Sequence, residues 1–215
     1  MRSIEIIREE HRVLRGVLDC FESVLDCASR DSGPNMEISG EVLGWFERFA
    51  DGVHQNKEEL GLFPRMIAAA PEISRAVLKE LMWLHAEERC RLVALRVGFA
   101  SARGTEAWER GRFLAAARAY VEFQRHHALL EDEVILPRAC EVLDQAVDDE
   151  ILRTYAQIEL DALGPNPEAP HAFLVRLRER AKQIVPSLVP SSHEDLCAGC
   201  DGCRVSSPRA CSRGF

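Results

Sequence analysis

Apolar and charged positions alternate with the period of a helix almost from the first residue. Ile4, Ile7, His11, Leu14, Leu18, Phe21 and Leu25 recur at helical steps with charge between them. That predicts a first helix, which the run Ser32-Gly33-Pro34-Asn35 ends. A second helix is expected from about Met36 to the Ala68-Ala69-Ala70 run, with Pro64 inside it. Pro71-Glu72 opens a third, because proline suits a first helical turn, and the pattern continues to about Phe99. After a loop at Ser101 to Thr105, a fourth helix is expected from about Glu106 to Leu143, with Pro137 inside it. Shorter helices follow from about Asp149 to Leu163 and from about Ala169 to Val185, separated by Gly164-Pro165-Asn166-Pro167. Strand signals are weak everywhere.

Four long helices with short connections predict an all-α, up-down four-helix bundle. The expected division is a bundle over residues 1–145, additional helices packed on it over 146–186, and a flexible Cys-rich tail over 187–215.

The bundle contains an internal repeat. His54-x3-Glu58 with Pro64 is mirrored by His127-x3-Glu131 with Pro137, each pair offset by 73 residues. His11 and His85 match at an offset of 74. Each half therefore has one helix with a lone His, then one with His-x3-Glu and a Pro ten residues past the His. This reads as a duplicated helical hairpin.

Charge narrows the function. Lys and Arg number 27 against 35 Asp and Glu, a net charge of −8 in 215 residues. That argues against nucleic acid, which calls for a basic footprint, and against anionic membrane surfaces. No apolar run approaches the length of a membrane span. The start of the chain is too charged for a signal peptide. A cytoplasmic location with reduced thiols is expected, so the eight Cys read as metal-ligand or redox candidates rather than a disulfide framework.

Residues four apart share one helix face. His54 with Glu58, and His127 with Glu131, thus each aim an imidazole and a carboxylate at one point. His11 and His85 add one imidazole each from the other two helices. Burying two uncompensated carboxylates would cost several kcal/mol each, roughly. A dinuclear cation site resolves that cost, with each Glu bridging two metals and each metal taking two His. Imidazole and carboxylate donors suit iron, zinc or manganese. A single His-x3-Glu is a weak signal; two copies in register with a Pro and an upstream His are a strong one.

This pattern resembles the hemerythrin-like, or HHE cation-binding, domain family over about residues 1–145. The local context agrees: Glu10-His11-Arg12-x2-Arg15, His54-x3-Glu58-x5-Pro64, Leu84-His85-Ala86-Glu87 and His127-x3-Glu131-x5-Pro137. The resemblance implies that His11, His54, Glu58, His85, His127 and Glu131 ligate two non-haem irons, with Glu58 and Glu131 as bridges. The His spacing is closest to the subgroup that handles nitric oxide and repairs damaged iron–sulfur centres. Mycobacterial hemerythrin-like proteins, associated with peroxide, share it. The oxygen carriers have a fifth His where this chain has Arg89, so the resemblance favours an open, reactive centre over reversible O2 carriage. They also use His-x4-Asp in the last helix, which makes Asp132 a rival to Glu131; His126 is likewise a rival to His127. The resemblance does not extend to the N-terminal Cys-containing domain of the repair proteins.

Tyr120 shares the face of His127 and is a candidate phenolate ligand or hydrogen-bond donor near an open position. Trp45, Phe46, Phe49, Trp83, Phe113 and Phe123 read as core packing. Cys20, Cys27, Cys90 and Cys140 read as buried small hydrophobes. Glu10, Glu87 and Glu88 either orient ligand His or lie on a solvated helix face. The tail motif Cys197-x2-Cys200-x2-Cys203-x7-Cys211 suits an iron–sulfur cluster, a zinc knuckle or a redox-active tail.

The expected function is a non-haem di-iron protein that binds or reduces nitric oxide, O2 or peroxide, whether or not it turns over as an oxidoreductase. The roles in view are iron–sulfur centre repair and defence against nitrosative or oxidative stress. An electron donor or an iron–sulfur protein is the expected partner. The alternative is a non-enzymatic iron or oxygen sensor, or an iron-storage or donor protein.

Overall fold

The computed structural model describes residues 1–28, 33–104, 106–164 and 168–185. Among them are six helices and no strand: α1 (Arg2–Ala28), α2 (36–69), α3 (Pro71–Ala102), α4 (107–142), α5 (Gln145–Leu163) and α6 (Pro170–Ile184). The first four run up and down as the bundle.

Local chemistry fixes several helix ends. The Asn35 side-chain oxygen caps α2 by accepting from the Ile38 N–H at 3.0 Å. Asp144 caps α5 in the same way, from the Val147 N–H at 3.0 Å, so this helix starts earlier than the expected Asp149. Asp148 then caps a different helix. Its carboxylate accepts from the Arg2 N–H at 2.9 Å and the Ser3 N–H at 3.1 Å, which pins α5 across the start of α1.

The hydrophobic core comes in two parts. One includes Val17, Phe21, Val42, Phe46, Leu92, Leu95, Phe113 and Val121 and continues into Phe173 and Leu177 of α6. The other includes Ile4, Ile7, Leu62, Phe63, Leu78, Leu81, Ile135 and Leu136 and continues into Ile151 and Tyr155 of α5. Along α1 the switch between them falls at His11, along α2 at 54–58, along α3 at His85, and along α4 at 127–131. The six ligand-type residues thus form one polar layer that crosses the bundle between two apolar halves.

Two expectations about packing change. Trp83 is 62% exposed, not core. It stands two positions from buried His85, and two helical positions put side chains on roughly opposite faces. Cys90 and Cys140 are exposed and Cys27 is half-buried; among these four Cys, Cys20 alone is buried. The tail motif of Cys197, Cys200, Cys203 and Cys211 lies outside the described residues.

Candidate metal centre

The two helices that carry His-x3-Glu are not regular throughout. In α2 the segments Phe46–Gln55 and Lys57–Leu62 are π-helical, and in α4 so is Glu131–Ile135. In both halves the last wide bond runs from the residue before the Pro to the ligand-type Glu. The Phe63 N–H donates to the Glu58 carbonyl, and the Leu136 N–H to the Glu131 carbonyl. A proline in a regular helix clashes with the carbonyl four residues back. A turn with one extra residue before Pro64 or Pro137 relieves that clash and keeps each helix continuous. Such wide turns are frequent at functional sites.

All six ligand-type side chains meet in the polar layer, and all are buried. Glu131 is its hub: its carboxylate lies 3.1 Å from His11 Nε2, 3.3 Å from His85 Nε2 and 2.9 Å from His127 Nε2. Glu58 faces His85 Nε2 at 3.5 Å and His54 Nε2 at 3.8 Å. Ligand atoms of His11, His54, Glu58 and Glu131 lie within 4.8 Å of one another, and so do those of His85, His127 and Glu131. Glu131 belongs to both groups.

Each imidazole is held from behind by its own carboxylate. His11 Nδ1 meets Asp132 at 2.8 Å, His54 Nδ1 meets Glu10 at 2.9 Å, His85 Nδ1 meets Glu59 at 2.7 Å, and His127 Nδ1 meets Glu88 at 3.3 Å. With Nδ1 held by a carboxylate, Nε2 is the atom that each ring turns to the centre, where it becomes a ligand once its proton is lost. This is how metal-ligating histidines are oriented. The outer carboxylates have their own partners. Arg15 donates to Asp132 at 2.6 Å and Arg89 to Glu59 at 3.0 Å. Buried Lys57 bridges Glu10 and, at 2.5 Å, Glu159 of α5. Glu88 receives the amides of Gln55 and Gln124 and the Tyr120 hydroxyl, the last at 3.2 Å.

The charges fit a cation and not an empty core. Burial alone would lower an imidazole pKa. The surrounding carboxylates reverse that and push His11 up to about 10, His85 to about 9 and His127 to about 11. Burial and the neighbouring Glu131 charge push Glu58 up to about 7. Burial acts the same way on Glu131, but His127, His11 and His85 outweigh it and hold its carboxyl well below the usual range. Both Glu58 oxygens are buried and accept no hydrogen bond. A carboxylate left so is a ligand in waiting, since protein carboxylates out of water otherwise find donors. Four imidazoles and two carboxylates, with no thiolate, suit iron, manganese or zinc.

The rival residues fall elsewhere. His126 is exposed while His127 is buried. Asp132 backs His11 and does not face the centre. Tyr120 is fully buried but reaches Glu88, outside both groups of ligand atoms. Arg89 points away from the centre to Glu59 and Gln55. Glu87 pairs with Arg91 near solvent, while Glu10 and Glu88 hold His54 and His127. Sequence reasoning missed the orienting roles of Glu59 and Asp132. The repeat carries that signal: each directly follows a ligand-type Glu, 73 residues apart. Nothing in the sequence marks Lys57, Gln55 or Gln124.

Beside His54 and His127 lies a small cavity of about 10 Å³, lined also by Leu14, Leu18, Ala50, Ala128, Gln55 and Gln124. No described helix is long and apolar enough to cross a membrane. Comparison with curated proteins and with solved structures gives no match. A family model for the hemerythrin HHE cation binding domain matches residues 2–139. That span holds all six ligand-type residues and ends before α5, and the chain belongs to the hemerythrin HHE cation-binding domain family.

Proposed function

We propose that this metal-binding protein holds two non-haem irons between its four bundle helices and binds or reduces a small ligand there. The observation that carries this is the paired ligand set. His11 with His54 and His85 with His127 converge from two sides on Glu58 and Glu131. Iron bound there would supply ligand positions and electrons. The chain's own residues do the rest. Asp132, Glu10, Glu59 and Glu88 keep the imidazoles aimed. Leu14, Leu18, Ala50 and Ala128 keep bulk water out. A cavity of about 10 Å³ is about the room one water needs, which supports a ligand of very few atoms, such as nitric oxide, O2 or peroxide, over an organic substrate. Gln55 and Gln124 also line that cavity, with their amides donating to Glu88.

The absence of a fifth His, with Arg89 turned away in its place, favours reaction or release over reversible carriage. Iron–sulfur centre repair and defence against nitrosative or oxidative stress are the settings this chemistry suits, in the cytoplasm. The test is consumption of nitric oxide and of peroxide by the iron-loaded protein with a reductant present. Repeated turnover, lost in His54→Ala and His127→Ala, supports the reading. A second reading, an iron or oxygen sensor, draws on the polar layer between the two cores, whose buried charges depend on metal. It requires binding without turnover and a large loss of helical order on iron removal.

A further inference from the structure

The four carboxylates behind the histidines differ in what balances them. Asp132 behind His11 carries Arg15, Glu10 behind His54 carries Lys57, and Glu59 behind His85 carries Arg89. Glu88 behind His127 carries no cation among the described residues. Its partners are the neutral amides of Gln55 and Gln124 and the neutral hydroxyl of Tyr120. Both Glu88 and Lys57 are buried, at 2% and 0% exposure, so water screens neither charge well. Arg15 and Arg89 are more than a third exposed and count for less.

The repeat shows that this is a real break in symmetry. The position equivalent to Lys57, 73 residues on, is Leu130. The His11–Asp132 pair has its mate in His85–Glu59, and each of those carboxylates is held by an Arg. The other two are not repeat mates, since the offset of 74 sets Leu84 against Glu10 and Leu14 against Glu88: the carboxylate behind His54 has a buried cation, shared with half-exposed Glu159, and the one behind His127 has none among the described residues.

We infer that the two metal positions are unequal, with the one held by His85 and His127 binding a divalent cation more tightly than the one held by His11 and His54. The inference rests on the two-metal reading above. Glu88 adds an uncompensated negative charge one imidazole away from its metal position. Lys57, bonded to Glu10, places a positive charge behind the other. The first position fills first and the second gives up its metal first. Glu88 is thus a positioning residue that also grades affinity, as outer partners of ligand His do by about 10- to 100-fold.

The experiment is anaerobic titration of the full chain with Fe2+ against a competing chromophoric chelator. Two steps separated by about 10- to 100-fold are expected. The tight step should persist in His54→Ala and vanish in His127→Ala. Gln124→Lys, which sets an ammonium beside Glu88, should narrow the gap between the steps, and Glu88→Gln should close it. Glu88→Gln leaves two amides facing an amide, so circular dichroism must show it folded; Gln124→Lys serves where it is not. Two irons bound with one affinity, or Gln124→Lys weakening both steps alike, would overturn the inference while leaving the two-metal reading intact. Fewer than two irons per chain would sink both.

Discussion

Glu58 and Glu131 occupy equivalent places in the repeat and lie among the same imidazoles, yet their surroundings shift their carboxyls in opposite directions. Three imidazoles crowd Glu131 within 3.3 Å and keep it ionised, while the Glu58 oxygens accept no hydrogen bond and burial lifts its pKa to about 7. Without metal, the layer is one well-paired carboxylate and one poorly paired one.

Substitution should separate them. In the metal-free protein Glu58→Gln should change stability by less than about 1 kcal/mol, because nothing hydrogen-bonded is lost. Glu131→Gln should cost about 3–5 kcal/mol, since it strips the imidazolium groups of their counter-charge. Both variants should lose metal. Denaturant melts of apo-protein with metal analysis check this, and equal apo stabilities would contradict it.

Proton release should accompany metal binding. His11, His85 and His127 titrate far above the ordinary 6.5 in the absence of metal, and a ligand imidazole must be neutral. Metal affinity should therefore rise steeply from pH 6 towards the folded values of about 9 to 11. Calorimetry in buffers of different ionisation enthalpy should count the released protons. Affinity independent of pH would be the contrary result.

The apo-protein should respond to pH in the opposite sense. A group whose folded pKa is raised stabilises the fold fully below its unfolded pKa and ceases to as pH rises through the folded one. Glu58, at about 7 against 4.5, loses its contribution between those values. The three histidines lose theirs between 6.5 and about 9 to 11. Melting temperature of the apo-protein should fall as pH climbs from 6 to 10, and bound metal should cancel most of the fall.

Helix α5, beyond the family match, is tied to the centre through Lys57. The ammonium sits between Glu10 and Glu159 and lies 5.5 Å from the centre of the Tyr155 ring. Lys57→Met should destabilise the protein by about 3–5 kcal/mol, because it leaves Glu10 buried without its cation. Glu159→Gln, half-exposed, should cost under about 1 kcal/mol. At Gly61 a Cβ would stand 2.6 Å from the Tyr155 ring, so Gly61→Ala should push α5 outward and cost about 1–3 kcal/mol. Thermal melts rank the three.

Much of this architecture is legible in the chain, and the gaps have causes. Helical periodicity marks the bundle, and the offset of 73 between His54-x3-Glu58 and His127-x3-Glu131 marks the ligand-type residues. Trp83 reads as core because size suggests burial, but its face is set by His85 two positions on. The orienting carboxylates are harder still. Glu10 adjoins His11 yet serves His54, and Asp132 adjoins Glu131 yet serves His11, because neighbours in sequence point to different helices in the bundle. Lys57 is unreadable without Glu159, 102 residues away.

Metal content per chain, measured with an absorbance spectrum on protein purified without air, tests the central claim most directly. The account predicts about two irons held by residues 1–145, with near-ultraviolet bands on oxidation and loss of both in His54→Ala with His127→Ala. A folded, helical protein that takes up no metal from iron-rich medium would contradict it.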